Sequence, residues 1–149
     1  MTVITRADFS RFNILVIDDS PFILRLVSEM LKSFGVGTVC LASAADEAFA
    51  KMQRNPPDVI FCDWEMYPAD GLSVLRKLRQ QSHSRFCHIP FIMLTGHNGN
   101  DDVTTALGEG ADSYVVKPFS CETLMNHLLK VIVADKGHLA DPRQEWAID

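Results

Sequence analysis

Four apolar runs in this 149-residue chain each end on a polar side chain that is suited to phosphoryl or metal chemistry. Asp18 and Asp19 follow the first run, whereas Asp63, Thr95 and Lys117 stand at the ends of three later runs. Crowded carboxylates repel one another unless a counter-charge such as a divalent cation is present. An ammonium group and a hydroxyl can both bind phosphoryl oxygens. The set therefore favours a Mg²⁺-dependent phosphoryl transfer with a carboxylate as nucleophile.

The strongest single signal is the run 59–63, in which four apolar residues are followed directly by Asp63. Two prolines precede this run and a segment with proline and glycine follows it, a pattern typical of a short strand that is buried on both faces. Such a strand ends on a carboxylate where its end opens onto water or onto a site. A solvated loop position would explain Asp63 alone, but it does not explain the four polar ends together.

The polar ends can meet only if the secondary structure brings them together. Apolar runs with strand character alternate with segments of helical periodicity, and we predict five helices and five strands, the strands at 12–17, 37–41, 59–63, 89–94 and 113–116. This alternation predicts an α/β fold with a parallel sheet, helices on both faces and right-handed crossovers. The carboxyl ends of parallel strands share one edge, so the polar residues are expected at one crevice.

Local signals support the predicted helices. Ser20 followed by Pro21 is typical of an N-cap and first helical residue, and Gly35 is a candidate terminator of that helix. Ser43 with Asp46 three residues later resembles a capping box at the start of the second helix.

Composition limits the classes of function. The chain contains 14 Lys and Arg against 19 Asp and Glu, a net charge of −5, and shows no basic stripe, which argues against nucleic-acid binding. No apolar stretch approaches the roughly 20 residues of a membrane span, and the first residues lack the order of a signal peptide. The four cysteines have no metal-type spacing and are expected to be free thiols in a cytoplasmic protein.

Four stretches together resemble the receiver domain of two-component response regulators. They are Ile17-Asp18-Asp19-Ser20, 63–71, Leu94-Thr95-Gly96 and 110–119 (Gly-Ala-Asp-Ser-Tyr-Val-Val-Lys-Pro-Phe). The resemblance covers about residues 12–134. It implies an N-terminal arm at 1–11, a receiver domain at 12–135, a flexible tail at 136–149, and a flavodoxin-like, doubly wound, five-stranded sheet of order 2-1-3-4-5.

The resemblance implies a role for each acidic residue of the site. Asp63 would accept a phosphoryl group from a phosphohistidine on a sensor histidine kinase or a phosphotransfer protein. Asp19 would ligate Mg²⁺ (or Mn²⁺) directly and Asp18 partly through water. Asp63 and the backbone carbonyl of Glu65 would complete the protein ligands. Met66 and the Asp70-Gly71 pair match the loop that follows the acceptor in this family, although Pro68 lies one place later than the usual proline.

The remaining roles concern the phosphoryl group and the response to it. Thr95 and Lys117 would bind phosphoryl oxygens, and the peptide between Lys117 and Pro118 would be cis. Tyr114 matches the aromatic residue that fills space vacated when Thr95 moves, and the surface of the fourth helix, fifth strand and fifth helix would then bind a downstream protein. A monomer or weak dimer with no output domain of its own is expected.

Several alternatives remain open at this stage. One is a Mg²⁺-dependent phosphohydrolase with Asp63 as nucleophile, although the usual second acid of such enzymes is replaced by Glu65. A phosphorylation-independent interaction module is another, and a flavodoxin-like cofactor binder is a third. Glu65 and His97 are expected to flank the entrance, where either could orient the attacking water or be only solvated.

Other histidines and cysteines give weaker signals. His83, Cys87 and His88 lack the spacing and the fourth ligand of a metal site. His127 is expected to face solvent or a partner.

Overall fold

The computed structural model describes residues 8–80, 86–96 and 99–134. Strands and helices alternate: β1 (Asn13–Ile17), α1 (Pro21–Ser33), β2 (Thr38–Ala42), α2 (Ala45–Arg54), β3 (Val59–Asp63), α3 (Gly71–Gln80), β4 (Phe91–Thr95), α4 (Asn100–Gly108), β5 (Ser113–Val116) and α5 (Cys121–Ala134). The strands form one five-stranded parallel sheet of order β2-β1-β3-β4-β5. The predicted fold class and strand order are confirmed.

Alternate residues of the central strands enter two separate cores. Ile14 and Phe61 face the side that α1 and α5 cover, whereas Leu15 and Ile60 face the side covered by α2, α3 and α4. All five residues of β3 are buried, as expected for a strand with helices over both faces. The continuous apolar run before Asp63 is therefore a consequence of its central position in the sheet.

The strand register places the polar residues at one level of the sheet. Ile17 pairs with Cys62, Asp63 with Leu94, and Thr95 with Val116. Asp18 and Lys117 follow the paired residues directly, and the backbone N–H of Lys117 still donates to the carbonyl of Thr95 at 2.7 Å. Parallel pairing thus brings these side chains to a common edge although almost one hundred positions separate Asp18 from Lys117.

The helix-end signals have mixed outcomes. The Ser20 hydroxyl accepts a hydrogen bond from the Ile23 backbone N–H at 3.3 Å, and Gly35 follows α1 with a φ of 91°, as predicted. The predicted Ser43–Asp46 capping box is wrong. The N-cap of α2 is Ala44, so the third helical residue is Glu47, and Ser43 donates to its carboxylate instead.

The segment before β1 contributes to the core. Phe9, which the sequence analysis placed in the arm, is 1% exposed and meets Phe12 edge-on, with 5.9 Å between the ring centroids. An isolated aromatic in a polar segment gives no periodic signal, so sequence reasoning missed this contact. In the described part of the chain, no helix has the length and apolarity needed to cross a membrane.

Arg79 joins three segments at the edge of the sheet opposite the polar residues. Its guanidinium donates to the carbonyls of Gly110, Cys87 and Ile89 at 2.8–3.1 Å and to the carboxylate of Asp112 at 3.0 Å. Asp112 in turn accepts from the Phe91 backbone N–H at 2.8 Å. From α3, one side chain therefore satisfies backbone carbonyls of the connection before β4 and of the α4–β5 connection together.

Replacing Arg79 with leucine should lower the free energy of unfolding by about 2–3 kcal/mol, because part-buried carbonyls and a carboxylate lose their donor. Arg76→Leu on the same helix is the matched control. Its salt bridge to Glu109 at 3.0 Å is exposed and should contribute less than about 1 kcal/mol. Urea unfolding of both variants measures the difference, and equal losses would contradict the assigned role of Arg79.

Candidate functional site

A lysine lies between two buried carboxylates at the carboxyl edge of the sheet. The Nζ of Lys117 is 3.0 Å from Asp18 Oδ2 and 3.0 Å from Asp63 Oδ1. The side chains of Asp18 and Asp63 are 1% and 5% exposed, respectively. Charges removed from water to this extent need a partner, and Lys117 supplies one positive charge to two acids.

The third acid lies at the mouth of the same site. Carboxylate oxygens of Asp18, Asp19 and Asp63 all lie within 4.8 Å of one another, and the Asp19 residue is exposed. The Asp18 carboxylate also accepts from the Ser20 backbone N–H at 2.9 Å, which fixes its orientation beside the start of α1. Three carboxylates supply the hard oxygen ligands that Mg²⁺ prefers. The donor set therefore fits the predicted cation.

Burial controls the charge state of the acceptor candidate. The pKa of Asp63 is raised to about 7: burial is the largest influence and raises it, as do Asp18 and a hydrogen bond with Glu65, against the lowering effect of Lys117. For Lys117, burial lowers the pKa, but hydrogen bonds to Asp63 and Asp18 outweigh burial and leave the pKa raised. The ammonium is therefore retained where an anion is to be bound.

Thr95 is fully buried, and its hydroxyl is already engaged. Thr95 Oγ1 donates to Glu65 Oε1 at 2.6 Å, across thirty positions of sequence. Sequence reasoning placed Glu65 at the entrance on its spacing from Asp63, but it assigned the side chain no partner. The only signal in the sequence was that Glu65 lies shortly after the end of β3 and that Thr95 ends β4, two neighbouring strands of a parallel sheet.

Tyr114 is half-buried and also contacts Thr95. Its ring meets that of Trp64 edge-on, with 6.3 Å between centroids and an interplanar angle of 84°. Burial raises the pKa of the Tyr114 hydroxyl, and a hydrogen bond with Thr95 opposes that rise. Thr95 is thus the point at which Glu65 and Tyr114 meet.

Two loops complete the site. The peptide between Lys117 and Pro118 is cis, and so is the peptide between Tyr67 and Pro68. Gly71 begins α3 against the backbone of β3, where a Cβ would overlap the carbonyl oxygen of Asp63. Only glycine allows this close approach, so the Asp70-Gly71 pair predicted from the sequence has a steric reason.

The remaining candidates lie elsewhere. Within the described ranges, the three aspartates are the only cluster of acids, histidines or cysteines arranged to hold a metal. His127 Nδ1 lies 2.5 Å from the Ser113 hydroxyl, so this histidine ties α5 to β5, and burial lowers its pKa. His83 and His97 lie outside the described residues.

The fold and the site define a doubly wound α/β protein whose carboxylates, ammonium group and hydroxyl are suited to phosphoryl chemistry. The family model for the response regulator receiver domain matches residues 14–129. Chemotaxis protein CheY1 of Helicobacter pylori is 38% identical over 120 residues, which cover 80% of this chain and 95% of that protein. The transcriptional regulatory protein TrcR of Mycobacterium tuberculosis is 35% identical over 142 residues, which cover 95% of this chain and 53% of that protein.

Structural comparison agrees with the sequence matches. The crystal structure of chemotaxis protein CheY4 from Vibrio cholerae superimposes with a TM-score of 0.74 and 33% identity, covering 80% of this chain and 98% of that chain. The protein belongs to the response regulator receiver domain family. It is a CheY-like receiver with a phosphoryl-accepting role in signalling, and the alternative phosphohydrolase is not favoured.

The raised pKa of Asp63 predicts a pH dependence of stability in the metal-free protein. Its folded pKa of about 7 lies above the ordinary value of 3.8. The folded state then binds more protons than the unfolded state between these values, so the free energy of unfolding falls as the pH rises through this interval. Urea unfolding in the presence of a chelator should show this fall in the wild type and a smaller one in Asp63→Asn. Identical pH profiles would contradict the shift.

Proposed function

We propose that Asp63 is the phospho-acceptor of this receiver and that a phosphohistidine on a sensor histidine kinase or a phosphotransfer protein is the donor. The observation that carries the proposal is the position of Lys117, which contacts Asp63 and Asp18 at 3.0 Å each. The acceptor oxygen lies beside a retained positive charge at the open edge of the sheet. An incoming phosphoryl group therefore meets a nucleophile and a counter-charge together.

In the reaction, a carboxylate oxygen of Asp63 forms a bond to phosphorus while the bond from phosphorus to the imidazole nitrogen of the donor breaks. The product is an acyl phosphate on Asp63 and a neutral histidine on the partner. Lys117 and Thr95 would bind the phosphoryl oxygens, because their Nζ and Oγ1 atoms lie at the same edge. Attack by water on phosphorus would later release inorganic phosphate and restore the carboxylate.

The same edge would hold Mg²⁺ or Mn²⁺ through Asp18, Asp19, Asp63 and the backbone carbonyl of Glu65. When bound, the cation neutralises the negative charge shared by the acids and the phosphoryl group. Among the residues that hold it, Asp18 is oriented by the Ser20 backbone N–H, and Asp19 is exposed at the mouth. The chain thus presents one oriented ligand and one accessible ligand on consecutive residues.

The response would pass through Thr95 and Tyr114 to the surface formed by α4, β5 and α5. Tyr114 is half-buried and contacts both Trp64 and Thr95. Its ring would therefore move in response to a shift of Thr95 toward a phosphoryl oxygen. A downstream protein that binds this surface would then distinguish the two states. Residues 12–135 would act as the signalling unit, in a monomer or weak dimer, and the four free cysteines fit a cytoplasmic location.

The acceptor assignment can be tested with a phosphoryl analogue. In a Trp146→Phe background, Trp64 is the only tryptophan, and it adjoins Asp63. Beryllofluoride with Mg²⁺ should change the Trp64 fluorescence, because the analogue binds beside the indole. Asp63→Asn in the same background should show no saturable change. Equal responses from the two proteins would exclude Asp63 as the acceptor.

Labelling with acetyl phosphate separates a receiver from an enzyme. We expect at most one phosphoryl group per chain, which then decays, and no label on Asp63→Asn. Sustained release of phosphate from small phosphate esters would instead support the phosphohydrolase alternative.

Tyr114→Ala should leave labelling of Asp63 within about twofold of the wild type, because Tyr114 contacts Thr95 and Trp64 and is not assigned to bind the metal or the phosphoryl group. It should weaken the phosphorylation-dependent binding of the downstream protein, since the ring that follows Thr95 is lost. Pull-down or titration with and without beryllofluoride measures this difference. Unchanged discrimination between the two states would refute the role of Tyr114.

A further inference from the structure

Glu65 accepts a hydrogen bond from the Thr95 hydroxyl, which the proposed function assigns to the phosphoryl group. The bond from Thr95 Oγ1 to Glu65 Oε1 is 2.6 Å long, which is typical of a strong, charge-assisted hydrogen bond. Thr95 is 0% exposed, so water does not compete for its hydroxyl. In the unphosphorylated protein, an internal carboxylate is therefore the acceptor at this position.

A threonine hydroxyl has a single proton to donate. Thr95 can donate it to Glu65 or to a phosphoryl oxygen, but it cannot make a full hydrogen bond to both. The two acceptors are also both negatively charged, and like charges repel at short range in a part-buried site. Occupation of Thr95 by one of them therefore excludes the other.

Glu65 is in a position to leave. It is an exposed residue of the loop between β3 and α3, whereas Thr95 is fixed at the end of a buried strand. The backbone of this loop is held by bonds from Met66 and Gly71 to the Trp64 carbonyl, at 3.0 and 2.9 Å. Rotation of the Glu65 side chain would then release the hydroxyl, and give up the hydrogen bond with Asp63, without a change of the loop backbone.

The geometry points to Glu65 as an internal competitor that holds the Thr95 hydroxyl in the unphosphorylated state and must be displaced before a phosphoryl group can bind there. This inference rests on the proposed function and adds a residue that sets the affinity of the site for the phosphoryl group. The competing group is the chain's own Glu65 carboxylate, which accepts the hydrogen bond that a phosphoryl oxygen would otherwise accept from Thr95.

A double-mutant cycle with beryllofluoride at saturating Mg²⁺ tests the competition. Glu65→Ala should increase the affinity for beryllofluoride by about tenfold, the order expected when a hydrogen bond between a hydroxyl and a charged group no longer has to be broken. In a Thr95→Val background, which removes the hydroxyl at nearly constant volume, the same substitution should give a clearly smaller gain, because only the contact of Glu65 with Asp63 is then removed. Thr95→Ala replaces Thr95→Val if thermal unfolding shows that the valine protein is not folded.

The control variant is Glu29→Ala, which removes the same charge from an exposed position of α1. It should leave the affinity unchanged. An unchanged affinity in Glu65→Ala would overturn the inference. An equal gain in the wild-type and Thr95→Val backgrounds would also overturn it, because the effect would then come from the contact of Glu65 with Asp63 rather than from competition for the hydroxyl.

The proposed function fails in a distinguishable way. If the wild type does not bind beryllofluoride, or if Asp63→Asn binds it equally well, Asp63 is not the acceptor. The proposed function and the competition by Glu65 are then both wrong. If the wild type binds it through Asp63 but the cycle shows no coupling between Glu65 and Thr95, only the competition is wrong.

Discussion

The structure depends on one shared charge. Lys117 supplies a single positive charge to Asp18 and Asp63, both of which are almost completely removed from water. Burial is the main cause of the raised pKa of Asp63, and the neighbouring Asp18 carboxylate, which shares the one ammonium, raises it as well. A site of this kind favours a ligand that brings positive charge.

The sheet makes such crowding possible. β3 is central and buried on both faces, so its last residue must either be apolar or open onto a site. Its neighbours β1 and β4 end at the same level of the sheet. Thr95 at the end of β4 pairs with Val116 of β5, so Lys117 lies at that level as well. The helices and the Arg79 network at the opposite edge stabilise this register. Catalytic geometry and core packing are therefore set by the same backbone pairing.

Thr95 connects the acceptor end of the site to the surface. Its hydroxyl donates to Glu65, and the ring of Tyr114 lies beside it against Trp64. Under the proposed function, a phosphoryl group that replaces Glu65 as the acceptor would change the position of Thr95 relative to Tyr114. In this structure the acceptor of the Thr95 hydroxyl is the glutamate at position 65.

The order of strands and helices, the buried central strand that ends on Asp63, and the four polar strand ends could all be predicted from the sequence. Each of these depends on local periodicity and on the rule that parallel strands share a carboxyl edge. The sequence did not indicate the burial of Phe9, the Ser43–Glu47 pairing, or the bond between Thr95 and Glu65. These features were decided only in the tertiary structure, because they depend on which rotamers and which loop paths bring distant side chains within contact distance.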